Sequence, residues 1–353
     1  MTGTATGIAA FRKHQLDAHG ALCFCLGDAM TGCSEKSGVN SNFYGRLAQL
    51  VRASALHAEG PRFEPEVAHM RQRIRVDGVT LSCVVEGHGP LAVLLHGFPE
   101  TSYAWRKQIP ALAEQFRVVA PDLRGFGESD KPTRVRDYRV GHLTADVVAL
   151  IHALGEDRAH VVGHDWGGAI AWATAQAHPE SVARLAVLNA PHPAVFLREM
   201  RRFSRQLLRS WYILFFQLPR LPERVLLRDG AARIGRVLRN SAIGDTAFSE
   251  ADLLEYRRAF SLPGTATASL SYYRAAFRDI VAGTLPDPKA SIRAPTLLIW
   301  GEKDIALGID FTHGLERFID GELRIERLPN ASHWVNEERP TLVNRLLIEF
   351  LSA

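Results

Sequence analysis

Gly163-His164-Asp165-Trp166-Gly167 carries an aspartate at the position where a nucleophile elbow, G-x-nucleophile-x-G, usually holds a serine. The elbow sets its central side chain on a tight strand-to-helix turn, exposed above a parallel sheet. The flanks fit. Ala159-His160-Val161-Val162 reads as a short buried strand, and Gly167 to His178, alanine-rich and free of internal proline, reads as the helix that follows. Changing the nucleophile changes the chemistry. A carboxylate is a poor acyl nucleophile, because its product would be an anhydride, but it can displace a leaving group from an sp³ carbon. That step leaves an alkyl ester of Asp165, which water must cleave in a second step. Ester and lipid hydrolysis are disfavoured; opening of epoxides or of carbon–halogen bonds is favoured. An aspartate in such a turn can also be a plain turn residue, so the reading depends on what else the chain supplies.

The second step needs a base. Asn330-Ala331-Ser332-His333-Trp334 follows a strand-like Leu323 to Leu328 and precedes a closing helix read from Glu337 to Leu351, which puts His333 in a loop at a strand end. The chain has 14 histidines; His96, His164 and His192 flank turns and read as hydrogen-bonders that shape loops. A base histidine needs a carboxylate to fix its tautomer and stabilise the imidazolium. Asp304, in Trp300-Gly301-Glu302-Lys303-Asp304, is the best placed. Glu302 is the alternative but lies nearer the strand end, and Leu188-Asn189-Ala190-Pro191 offers only Asn189. The order is then nucleophile, acid, base. For the oxyanion formed on the Asp165 ester, the elbow supplies the Trp166 N–H, and the loop His96-Gly97-Phe98-Pro99 supplies a second from Phe98.

These residues must be brought to one sheet edge. Arg71 to Val76 and Val79 to Val85 alternate around Asp77-Gly78, a hairpin signal. Leu91 to Leu95, Val118 to Ala120, Leu185 to Leu188 and Thr296 to Trp300 are short apolar strands, and Tyr138 to Leu154 is an amphipathic helix. Strands alternating with helices predict an α/β architecture, a mostly parallel sheet with helices on both faces and the site at the carboxyl ends of the strands. From His192 to Pro286 the pattern becomes arginine- and aromatic-rich and helical, which predicts an inserted helical cap over residues 192–286 between core segments 70–191 and 287–353. A cap excludes water and can lend residues to the site.

A chain of 353 residues has ample length for such a core. Its net charge is +4 and its pI about 9.0. Arg198, Arg201, Arg202, Arg205 and Arg209 stand at near-helical spacing and read as a solvated helix face rather than a nucleic-acid or membrane site. No run approaches a transmembrane length. Cys23, Cys25 and Cys33 lie near the amino terminus and only Cys83 elsewhere, so neither a disulfide framework nor metal-ligand spacing is implied. With no signal pattern, a cytoplasmic location is the default. Residues 1–69 lack periodicity. Ala48-Gln49-Leu50-Val51-Arg52-Ala53 and Phe63-Glu64 read like the D-arm and T-loop of a translated tRNA gene. Translation is therefore expected to start at Met70, with the extension disordered or absent.

His96-Gly97-Phe98-Pro99-Glu100, Asp122-Leu123-Arg124-Gly125-Phe126-Gly127, Gly163-His164-Asp165-Trp166-Gly167-Gly168, Asn189-Ala190-Pro191-His192-Pro193 and Ala331-Ser332-His333-Trp334 resemble the α/β-hydrolase-fold epoxide hydrolases. The resemblance runs from about Met70 to the carboxyl terminus. It reaches into the cap, where Trp211 to Gln217 and Tyr272-Tyr273-Arg274 are similar to the segments bearing two lid tyrosines. It implies that Tyr212 and Tyr273 donate to the epoxide oxygen while Asp165 attacks, with Tyr272 pointing elsewhere on a helix. It also implies a small apolar epoxide and water as substrates, a monomer or homodimer, and no metal or organic cofactor. Haloalkane dehalogenases share nucleophile and base, but many take a halide-binding Asn where Phe98 stands. Haloacetate dehalogenases resemble the chain as well, but Trp166, Gly167 and Gly168 replace the arginines that would hold a carboxylate. A non-catalytic binding protein on this fold is a third reading.

Overall fold

Asp77-Gly78 turns the chain as the hairpin signal requires: β1 (Arg71–Val76) pairs antiparallel with β2 (Val79–Glu86), Val76 opposite Val79, and Gly78 takes φ 74°. The computed structural model describes residues 71–201, 205–244 and 246–353. The expectations for residues 1–69, for a start at Met70 and for Arg202 lie outside the described residues. Among the described residues the strands form one eight-stranded sheet in the order β1-β2-β4-β3-β5-β6-β7-β8. β2 pairs antiparallel with β4 (Arg117–Pro121). β4, β3 (Leu91–Leu95), β5 (Ala159–His164), β6 (Val182–Leu188), β7 (Thr296–Gly301) and β8 (Leu323–Leu328) run parallel.

β3 and β7 are buried at every position, which is why they read as unbroken apolar runs. Alternate residues face opposite layers. Leu91, Val93 and Leu95 pack with Val147 of α2 (Val140–Ala153) and Ile170 of α3 (Trp166–Ala177). Ala92 and Leu94 pack with Leu112 of α1 (Ile109–Ala113) and Leu347 at the carboxyl end. Each such leucine or valine contributes roughly 1.5–3 kcal/mol relative to exposure.

Between β6 and β7 the described chain is helical: α4 (Pro193–Arg201), α5 (Arg205–Arg209), α6 (Trp211–Phe215), α7 (Leu221–Ser241, broken by a kink at Arg228 to Ala231), α8 (Glu250–Phe260) and α9 (Thr265–Ala282). These elements build a third apolar cluster from Ile234, Leu253, Tyr256, Phe260, Leu270 and Tyr273, which also takes in Trp334. α4 still sends Val195 into the sheet cluster, and α9 sits astride both, with Tyr272 on the sheet side and Tyr273 on the other.

Two boundaries differ from expectation. The helix read over Tyr138 to Leu154 begins at Val140; Tyr138 closes a tight turn and donates its hydroxyl to the Pro132 carbonyl at 2.6 Å. The closing helix is split into α10 (Val335–Glu338) and α11 (Pro340–Ser352), with Arg339 at φ −130°, ψ 47°. Pro340 lacks an N–H, and its ring bars helical geometry at the residue before it, so the chain breaks there and restarts.

Candidate active site

β5 ends at His164 and α3 starts at Trp166, leaving Asp165 on the turn at φ 50°, ψ −117°. A non-glycine residue held there costs about 1–3 kcal/mol, which surrounding packing must sustain. The elbow glycines permit that packing: a Cβ on Gly163 would strike the Gly167 carbonyl, and one on Gly167 would strike the Leu95 carbonyl. The Asp165 N–H donates to the Leu188 carbonyl at 3.3 Å, and its carbonyl accepts from the Ala169 N–H at 2.9 Å. Its Oδ1 accepts the Phe98 N–H at 2.8 Å, and its Oδ2 lies 3.6 Å from His333 Nε2.

His333 follows β8 and Asp304 follows β7, and their side chains meet: His333 Nδ1 donates to Asp304 Oδ2 at 2.7 Å. That bond leaves Nε2 as the nitrogen facing Asp165. Asp304 is buried, whereas Glu302 and Lys303 are exposed. Three further donors hold the Asp304 carboxylate. Asn189 Nδ2 bonds Oδ2 at 2.9 Å, and the N–H groups of Ala306 and Leu307 bond Oδ1 at 2.8 and 2.9 Å. Asn189, at φ 40°, also accepts the Gly301 N–H at 2.9 Å. Sequence reasoning considered Asn189 only as a missing acid. Its position on the loop after β6, next to β7 in the sheet, was the available signal.

Burial pushes the Asp165 carboxyl up, but the nearby His333 outweighs it and its pKa settles below the usual carboxylate value. Burial alone would lower His333; Asp304 and Asp165 outweigh that and raise it well above the ordinary imidazole value. The two shifts describe one proton held between the groups.

Under this pair lies a second buried layer. His164 Nε2 donates to the His333 carbonyl at 2.9 Å, while Nδ1 meets Glu100 Oε2 at 2.8 Å. Glu100 Oε2 also accepts the Gly97 N–H at 2.9 Å. Burial pushes the Glu100 carboxyl up, and the His164 partner brings it below its usual value. His96 accepts the Leu123 N–H on Nε2 at 2.9 Å and meets the Gly97 carbonyl through Nδ1. His192 stacks on Phe318 and accepts the Ala194 N–H; burial lowers its pKa to about 4. All three histidines hold loop backbone in place.

Above Asp165, Tyr212 of α6 and Tyr273 of α9 meet edge to face, with ring centroids 6.0 Å apart. Tyr273 also stands edge-on to Trp166 at 5.0 Å and to Phe98 at 5.4 Å. Desolvation first and the Asp165 charge second raise both phenols above their ordinary pKa, so both keep their protons. Tyr272, one position earlier, turns away and donates to the Arg124 carbonyl at 2.7 Å. Phe98, Phe216 and Trp166 complete an aromatic wall. No group of three metal-ligating side chains occurs among the described residues.

A carboxylate beneath a histidine, faced by two protonated phenols, is suited to alkylation at carbon followed by hydrolysis. Known proteins with this architecture agree. The family profile of the α/β hydrolase fold matches residues 90–340. Epoxide hydrolase 3 of Xenopus tropicalis is 38% identical over 285 residues, 79% of this chain and 76% of the relative. Epoxide hydrolase A of Mycobacterium tuberculosis is 33% identical over 312 residues, 79% of this chain and 96% of the relative. The crystal structure of a Bacillus megaterium epoxide hydrolase with an inhibitor superposes with a TM-score of 0.75 at 31% identity, covering 80% of this chain and 100% of that one. The motifs quoted from the sequence fall in one family with the sheet that carries them: this chain belongs to the epoxide hydrolases of the α/β-hydrolase fold.

Proposed function

We propose that this epoxide hydrolase forms its diol in two steps, with Asp165 as nucleophile, Tyr212 and Tyr273 as donors to the ring oxygen, and His333, oriented by Asp304, as base. The carrying observation is the split environment of the Asp165 carboxylate, with Oδ1 on the Phe98 N–H and Oδ2 towards His333. Oδ2 attacks one ring carbon, the carbon–oxygen bond breaks, and a phenol gives its proton to the departing alkoxide. Esterification removes the Asp165 charge, and with it one of the two carboxylates that keep His333 protonated, so His333 gives up its proton, which restores the phenol spent on the alkoxide, and becomes a base. It then takes a proton from water, whose oxygen attacks Cγ of the ester. The oxyanion develops on Oδ1, already on the Phe98 N–H, and the Trp166 N–H at the start of α3 serves as its second donor. Collapse breaks the ester bond, the departing alkoxide takes the proton from His333 to complete the diol, and the proton left on the Asp165 carboxyl passes to His333, which restores the starting state. Water is the only co-substrate.

The helices of residues 192–286 act as the lid that carries the two tyrosines over the strand ends and keeps bulk water out. The aromatic wall suits an apolar, aryl-bearing epoxide. The structure of a mutant Bacillus megaterium epoxide hydrolase, 31% identical and matched over 100% of its length, is described with a naphthyloxy-propane-1,2-diol product. A haloalkane dehalogenase would need N–H donors around a halide, and Phe98 brings none in its side chain. Replacing Tyr212 and Tyr273 by phenylalanine separates the chemistries. Single-turnover alkylation should slow about 10²–10³-fold for each donor lost. Near-normal epoxide opening in the double variant would remove both tyrosines from the mechanism.

A further inference from the structure

We propose that the outward face of α5 and α6 docks on an anionic phospholipid bilayer. Both short helices turn apolar side chains outwards, although their inner contacts differ. α6 packs Tyr212, Ile213 and Phe215 on the third apolar cluster, whereas α5 is polar inside: Gln206 donates from Nε2 to the Ala306 carbonyl at 2.7 Å, accepts the Gly308 N–H on Oε1 at 3.0 Å, and bonds buried Ser210 at 3.1 Å. Their exposed edge is apolar, with Leu208 78%, Trp211 64% and Leu214 60% exposed, flanked by Leu207, Leu218 and Leu221. Leu207 and Leu208 lie on α5, Trp211 and Leu214 lie on α6, and Leu218 follows it, so the exposed apolar side chains succeed one another along both helices. Single exposed apolar residues are ordinary, whereas a continuous stripe of them on a helix marks a surface that something covers.

Charge identifies the cover. From Arg209 to Arg239 the sequence holds seven arginines, no lysine, and only Glu223 and Asp229 as acids. Both acids are already engaged, Glu223 with Arg274 at 2.7 Å and Asp229 with Arg228 at 3.7 Å. Arg220 and Arg224 stand exposed next to Leu218 and Leu221 in the chain, while Arg209 reaches back towards Gly308. A second copy of the chain packed face to face would set arginine against arginine, a repulsive arrangement. An anionic bilayer satisfies both halves: tryptophan and leucine enter the headgroup–acyl boundary while guanidinium groups meet phosphates. This inference does not depend on the reaction mechanism.

Flotation of the full-length protein with unilamellar vesicles tests it, comparing phosphatidylcholine alone with equimolar phosphatidylcholine and phosphatidylglycerol. Binding to the anionic vesicles is expected at about 0.1 M salt and should fall at least about tenfold near 1 M salt. The combined substitution Leu208→Ser, Trp211→Ser, Leu214→Ser should weaken it at least about tenfold without lowering Tm, because these side chains are exposed. Arg220→Glu with Arg224→Glu should erase the preference for phosphatidylglycerol. Failure of the wild-type protein to float with anionic vesicles would overturn the proposal. So would flotation that survives the apolar substitutions, or a dimer mass by light scattering that those substitutions convert to monomer, which would assign the face to a second copy.

Discussion

Asp304→Asn is the perturbation whose cost can be worked most directly from the geometry. Four donors converge on the two carboxylate oxygens: His333 Nδ1 and Asn189 Nδ2 on Oδ2, and the Ala306 and Leu307 N–H groups on Oδ1. An amide offers one acceptor oxygen and presents N–H donors on the other side, so one pair must lose its acceptor. If the oxygen faces Ala306 and Leu307, the new NH₂ faces His333 and forces Nδ1 to accept. The proton then sits on Nε2, pointing at Asp165, and the base is lost. If the oxygen faces His333, the two loop N–H groups lose their partner instead. At about 1–3 kcal/mol per buried unpaired donor, the first outcome strands only the Asn189 amide and costs roughly 1–3 kcal/mol, and the second strands both loop N–H groups and costs roughly 2–6 kcal/mol. The first also slows ester hydrolysis by about 10³–10⁴-fold, the scale seen when a catalytic histidine loses its orienting carboxylate. Alkylation does not need the base, so it should proceed and the ester should accumulate. The assay is intact mass spectrometry during turnover, with steady-state kcat beside it. Because the second outcome spares the base, Asp304→Ala decides the role: kcat within tenfold of wild type and no accumulated ester in that variant would refute Asp304 as the group that orients His333.

Gly97→Ala should disable the enzyme without unfolding it. The new Cβ would lie 2.5 Å from Asp165 Cβ and 2.7 Å from its Oδ1, driving the nucleophile off the Phe98 N–H. A displacement of that kind costs about 10²-fold or more in kcat, and kinetics within threefold of wild type would contradict it. His333 and Asp165 also make stability depend on pH. His333 is raised in the fold, so its contribution is complete below the unfolded value and is lost as pH rises through the folded one; lowered Asp165 contributes above its unfolded value and loses that contribution as pH falls through the folded one. The Tm gap between wild type and His333→Gln should therefore be widest between about pH 4 and 6.5 and close towards alkaline pH. A gap that grows with pH would reverse the assignment.

The sheet was legible because its strands are short apolar runs between turn residues. β3 and β7 announce themselves as Leu91 to Leu95 and Thr296 to Trp300, and Asp77-Gly78 announces the hairpin. Elbow, base and acid were legible as motifs at strand ends. The groups that hold those residues were not. Asn189 meets Asp304 across 115 positions, and His164 meets the His333 carbonyl across 169, so no local pattern links them. The division of the closing helix could have been foreseen, since Pro340 stands inside the stretch read as continuous. The exposed stripe on α5 and α6 went unread because leucine and tryptophan at helical spacing more often mark a core face; their exposure is a property of the fold.

Intact mass spectrometry of His333→Ala protein after exposure to an aryl-bearing epoxide is the most direct test of the central claim. Without the base the first step should run and the second should stop, leaving an adduct equal to the mass of the whole epoxide on the peptide containing Asp165. No adduct, or one mapped to another residue, would contradict Asp165 as the nucleophile of this enzyme.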